Sequence, residues 1–203
     1  MRVATETYID EAPLCFIDCE TTGLDPFHGD RICEIAFVRV EQGSITKTFE
    51  TLINPEREIS LGAFFVNGID GRSLVDKPRF IEIVPEIMEA VNSAVLVGHN
   101  VVFDLSFLRE ELRRVGMSLG AVPAVDTLRL AKRLYTLPSF ALAPLAESLN
   151  VDTEDSGFEE PARLHRAMAD VRLLKGVFDS MVTQLRRKEG VVRLGDLLKI
   201  AGH

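Results

Sequence analysis

The sequence contains no apolar run approaching the roughly 18 residues that cross a bilayer, and its start, MRVATETYIDEAP, lacks the apolar core of a signal peptide. A soluble, cytoplasmic chain with no membrane partner is the expectation. Positive charge is also short: 23 Lys and Arg stand against 31 Asp and Glu, a net charge of −8. That balance excludes a protein that grips nucleic acid through a broad basic face, so any polyanionic ligand has to be held locally or through metal. Cysteine is scarce. Cys15, Cys19 and Cys33 have neither the paired spacing of a zinc site nor the density of a secreted disulfide scaffold, and reduced thiols in the core are expected. Internal repeats and low-complexity tracts are missing as well.

What is present suits one core. The chain has 203 residues, 46% of them hydrophobic, enough for a single domain. Its expected limits are 13–188, between an N-terminal extension (1–12) and a short tail (189–203) too small to fold as a second domain. Residues 13–20, 31–40 and 45–53 are rich in Val, Ile, Phe and Thr and are separated by turn compositions, which predicts three antiparallel strands in succession. From about residue 80 the order changes to a helix containing Pro85, a short buried strand in AVLVGHN, an amphipathic helix ending at Gly116, and a last short strand in PAVDT. Helical LRLAKRLY and FALAPLAESLN follow. A long final helix over about 164–188 carries Ala167, Val171, Leu174, Phe178, Met181 and Leu185 along one stripe. The order implies an α/β protein with a mixed sheet and helices on its faces.

Acids interrupt this apolar pattern in three places. In LCFIDCET, side chains alternate, so Asp18 and Glu20 share a face with Leu14 and Phe16, while Cys19 looks into the opposite layer. Their backbones are about 7 Å apart at a rise of ~3.3 Å per residue. Two carboxylates this close repel, so a basic side chain or a divalent metal is expected between them. Asp104, in VLVGHNVVFDLSFL, falls on the stripe of Phe107 and Leu108; it also sits in a first turn, where the helix dipole favours an acid without any further role. Asp170, in LHRAMADVRLL, lies on the inward face of the last helix and needs a partner, either an arginine such as Arg166 or Arg172 or a functional group. His165 would lie about 140° around one continuous helix from Asp170, and both face one site only if His165 precedes the regular helix.

Taken in this order, FIDCETTGLDP, GHNVVFDLSFL and HRAMADVRLL resemble the DEDDh family of DnaQ-like 3′-to-5′ exonucleases, which includes the proofreading epsilon subunit of bacterial DNA polymerase III. The resemblance spans about residues 13–185. It implies an RNase H-like fold with a central mixed five-stranded sheet flanked by helices. It further implies that Asp18, Glu20, Asp104 and Asp170 hold two divalent ions, Mg2+ or Mn2+, that His165 is the general base, and that the product is a nucleoside 5′-monophosphate. Hard cations prefer carboxylate oxygen, which explains the residue types. Thr21, Leu24, Gly68 and Ile69 are the residues that the resemblance places around the terminal nucleotide, with Leu24 and Ile69 as apolar faces for a base. Asn100 is assigned either to the substrate phosphate or to bracing its loop, and His99 to structure.

Many relatives have His-Gly-Ile-Thr where this chain has Asn67, Gly68, Ile69 and Asp70, a departure that bears on sugar preference. The expected substrate is the 3′ end of single-stranded DNA, in proofreading or repair. An enzyme that trims RNA and a non-catalytic binding module are the alternatives. The resemblance leaves both a lone chain and a homodimer open, as well as docking on a polymerase. Phe64 and Phe65 are candidate contacts for such a dimer, although burial in the core is the expected place for both.

Overall fold

The computed structural model describes residues 5–151 and 166–203. The strands are β1 (Leu14–Thr21), β2 (Ile32–Glu41), β3 (Ser44–Leu52), β4 (Val95–Gly98) and β5 (Ala124–Asp126). They form one mixed sheet in the order β3-β2-β1-β4-β5. β1 pairs with β2, and β2 with β3, in antiparallel register, while β4 runs parallel to both β1 and β5. β1 is central and covered on both sides, which is why its sequence reads as a nearly continuous apolar run.

Helices α1 (Leu61–Asn67), α2 (Phe80–Val91), α3 (Val101–Arg114), α4 (Thr127–Leu134), α5 (Leu142–Ser148), α6 (Arg166–Glu189) and α7 (Leu194–Ala201) complete the described fold. Alternation along β1 splits the interior into two layers. Cys15, Ile17 and Cys19 pack with Ile83 and Ile87 of α2 and Leu105 and Leu108 of α3. Leu14 and Phe16 pack with α6, where the Phe16 and Phe178 rings meet edge-on at a centroid distance of 5.3 Å. All three cysteines are buried and free, as expected.

Two helices escaped the sequence pattern. α1 is seven residues long and its Leu61, Phe64, Phe65 and Val66 are exposed, so no apolar stripe marks it. Phe64 and Phe65 were expected in the core and are instead at the surface, because α1 stands on the rim of the sheet and its buried member is Asn67. The segment after α6 is not a loose tail: Leu194, Leu197 and Ala201 of α7 are in the core, and Gly202 bridges Val125 on the edge strand β5. Among the described residues, no helix is long and apolar enough to cross a membrane.

Candidate active site

The pairing of β1 with β4 stops at Phe16 and Val97, two residues before Asp18. β1 therefore runs on past the end of its parallel neighbour, and the row that begins with Leu14 and Phe16 continues as Asp18 and Glu20 above an open crevice. α6 crosses the same face and brings Asp170. Carboxylate oxygens of Asp18, Glu20 and Asp170 all lie within 4.8 Å of one another.

Asp104 arrives from the other side. After β4 the chain turns sharply at Gly98, where a Cβ would come within 2.8 Å of the Val101 side chain, and Asn100 takes a left-handed conformation with φ 71°. Glycine accommodates that close approach. The turn starts α3 so that Asp104, in its first turn, lies 4% exposed beside Asp18, with the Cys19 amide and thiol as hydrogen-bond partners. Cys19 thus faces the opposite layer as expected and also touches one of the acids.

The electrostatics are those of crowded anions. The Asp18 carboxyl is pushed well above the ordinary carboxylate range, first by burial and then by the negative charges of Asp104, Asp170, Glu20 and Glu34. Burial also lifts Asp104, to about 7, against the hydrogen bonds that favour its charged form. A divalent cation relieves this kind of repulsion, and carboxylate oxygens are the donors that Mg2+ and Mn2+ prefer.

Beside the acids opens a cleft of about 680 Å³, lined by Glu20, Thr21, Leu24, Val66, Asn67 and Phe103 among others. Thr21 donates its hydroxyl to the Gly23 carbonyl at 2.6 Å. Asn67 occupies the position of the His-to-Asn departure; its amide donates to the Thr21 carbonyl at 3.1 Å and its oxygen accepts the Ile69 N–H at 3.0 Å. Gly68 ends α1 with φ 70°. Leu24 lines this cleft, and Ile69 lines a second cleft of about 510 Å³ with Phe64 and Leu61. His99 is structural: its ring nitrogens meet the Thr127 hydroxyl at 3.0 Å and the Phe140 carbonyl at 2.7 Å, and burial holds its pKa below the usual value. The backbone N–H of Asn100 donates to Asp126 at 3.0 Å, which braces the loop, while the Asn100 side chain is exposed. His165 lies outside the described residues.

Two further acids were not singled out in the sequence. Glu34 pairs in register with Glu20, is buried, and adds to the charge acting on Asp18; an acid inside ICEIAFV was the available signal. Asp126 accepts N–H bonds from Leu128 and Arg129, capping α4, in addition to that of Asn100. Its place between a short strand and a helix fits a cap.

Residues 15–178 match the family described as Exonuclease, of RNase T type. The chain belongs to this exonuclease family. It is 36% identical over 80% of its length to the DNA polymerase III subunit epsilon of Rickettsia felis, covering 70% of that protein. It is 34% identical to the PolC-type DNA polymerase III of Thermotoga maritima over 98% of its own length, but spans 14% of that polymerase. Among solved structures, Exonuclease X in complex with 5′ overhanging duplex DNA superposes with a TM-score of 0.68 at 24% identity, over 91% of this chain and 98% of that one. This likeness matches the RNase H-like, five-stranded expectation for the exonuclease fold.

Proposed function

We propose that this exonuclease removes nucleotides from the 3′ end of single-stranded DNA and releases nucleoside 5′-monophosphates. Asp18, Glu20, Asp104 and Asp170 are the residues that would hold two divalent cations, Mg2+ or Mn2+, and His165 is the general base. The observation that carries this reading is the convergence of Asp18, Glu20 and Asp170 within 4.8 Å, from a strand and a distant helix, beside an open cleft. When bound, such cations neutralise the scissile phosphate and acidify water. The chain's own residues supply the rest. Asp18 and Glu20, fixed on a central strand, and Asp170, fixed on a packed helix, set where the phosphate sits. Leu24 offers an apolar face to the terminal base, a contact that tolerates any sequence. Thr21 and Asn67 line the cleft that takes the terminal nucleotide, Gly68 and Ile69 at the end of α1 offer it a further contact, and Asn100 either meets its phosphate or braces the loop that leads to Asp104. His165 takes the proton from the attacking water. DNA is favoured over RNA because two relatives carry DNA polymerase III in their names.

Matched DNA and RNA oligomers labelled at the 3′ terminus, incubated with Mg2+ or Mn2+ and with chelator, test each part. The expected result is immediate release of labelled mononucleotide, faster from DNA, and abolished by chelation. Faster loss of RNA overturns the sugar assignment. Label retained until the oligomer is short overturns the polarity, and release in chelator overturns the metal role.

A further inference from the structure

The family match ends at residue 178, yet the chain beyond it returns to the end of the sheet where the acids converge. After α7, Gly202 bridges Val125 in antiparallel sense, the His203 N–H donates to the Ala124 carbonyl at 3.0 Å, and Arg129 of α4 donates to the Gly202 carbonyl at 3.1 Å. These bonds lay Gly202-His203 along the edge of β5 as a strap. Leu194, Leu197 and Ala201 of α7 are in the core and anchor it.

The strap ends on a carboxylate. His203 Nε2 stands 3.4 Å from Oδ2 of Asp126, which is 5% exposed and pairs in register with Gly98. The other oxygen, Oδ1, accepts the N–H groups of Leu128 at 2.9 Å and Arg129 at 3.4 Å, which is all that a cap of α4 requires. It also accepts the Asn100 N–H at 3.0 Å, from a different part of the chain. The next residue adds a second tie, because the Thr127 hydroxyl donates to the Gly98 carbonyl at 3.0 Å. Asp126 and Thr127 therefore hold both ends of the Gly98–Asn100 turn.

That turn launches α3. Asn100, in its left-handed conformation, immediately precedes the helix, and Asp104 lies in the helix's first turn. A residue other than glycine keeps such a conformation only where its surroundings over-determine it. We infer that Asp126, steadied by His203, is a positioning residue for Asp104, so that the segment after α6 belongs to the catalytic scaffold. The inference rests on the exonuclease reading and adds to it two residues that need touch neither the substrate nor its cations.

The test uses the full chain with Asp126→Ala, Asp126→Asn and His203→Ala. Phe49→Ala, which removes a ring stacked on Phe37 in the edge strand β3, is the control for lost stability alone. Asp126→Ala is expected to lower kcat on a single-stranded octanucleotide about tenfold or more, with KM within about twofold, as for an interaction that acts in the transition state. It should also weaken Mn2+ binding, measured by calorimetry, about tenfold, the scale for losing a group that supports a metal ligand. Asp126→Asn keeps an oxygen for the Asn100 N–H and should restore most of both. His203→Ala should lower kcat about threefold and speed hydrogen exchange at the Asn100 amide of the metal-free protein by a similar factor, the scale of a partly exposed ion pair. In the Asp126→Ala background it should add nothing. Phe49→Ala should lower the melting temperature and leave kcat and Mn2+ affinity unchanged well below it.

An Asp126→Ala protein that melts lower but keeps its kcat and Mn2+ affinity overturns the inference. So does a His203→Ala protein whose Asn100 amide is as protected as in the wild type, and this variant decides alone if Asp126→Ala does not fold, since it removes no hydrogen bond of α4. Wild-type protein that cleaves nothing, while its Mn2+ affinity still depends on Asp126, sinks the catalytic reading and keeps this one. Active protein whose kcat and Mn2+ affinity ignore Asp126 does the reverse.

Discussion

Two groups of acids lie near the same end of β1 and β2, one buried and one half-buried, and they differ in the sign of their neighbours. Glu111 of α3 is 1% exposed, yet Arg31 clamps it with two hydrogen bonds of 2.7 and 2.9 Å, and the Ile32 N–H adds a third at 3.2 Å. Asp18 is answered most strongly by other acids. The first arrangement is complete as it stands and pins the start of β2 to α3. In the second, the charged groups that act on Asp18 are acids, a setting that a divalent cation would relieve. Burial of a carboxylate is therefore no sign of function; burial among like charges is, because a purely structural acid gains nothing from it.

The comparison breaks most visibly at Asp18. Asp18→Asn is expected to lower cleavage by about 10²–10³-fold or more, the scale for removing one preorganised electrostatic group. In chelator at pH 8 the same variant should melt above the wild type, because the amide relieves repulsion that the carboxylate suffers. A variant that melts lower would show that the acid is structural after all. Glu111→Leu should behave oppositely. It leaves Arg31 largely buried without its partner and should cost about 3 kcal/mol in urea unfolding, the lower end for a broken buried pair. An unchanged unfolding midpoint would mean that water replaces the carboxylate there.

Much of this contrast was legible in the sequence. Asp18 and Glu20 stood out because period-2 alternation put them on an apolar row, and Asp170 because period-3.6 spacing put it on an inward stripe. The mixed sheet followed from the run of strands before the first helix, and its five strands from the family resemblance. What could not be read was anything whose signal is tertiary. Glu111 looks like a surface residue in LREELRR, and only the fold brings Arg31, eighty residues earlier, against it. α1 was missed because its apolar groups face water: a helix of seven residues without a buried stripe has no periodicity to detect. α7 is almost as short, and only its seat against β5 and α4 makes its leucines core.

The smallest effect is a pH dependence that separates the two acid groups. A carboxyl whose proton is held more tightly in the folded state favours folding fully below its ordinary value, 3.8 for Asp104, and loses that contribution as pH rises through its folded value of about 7. Asp18 is shifted in the same direction. In chelator, the melting temperature should therefore fall by a few degrees between pH 5.5 and pH 8, since a change of about 1 kcal/mol moves a domain of this size by roughly 2–4 °C. Added Mn2+ should oppose the fall, and raise melting more at pH 8 than at pH 5.5, because it binds the deprotonated oxygens. Asp18→Asn should flatten the slope in chelator, while Glu111→Leu should lower melting at every pH and leave the slope alone. A wild-type curve that is flat over this window, or a Mn2+ effect that is larger in acid, would remove the crowding of like charges as the distinction between the two sites.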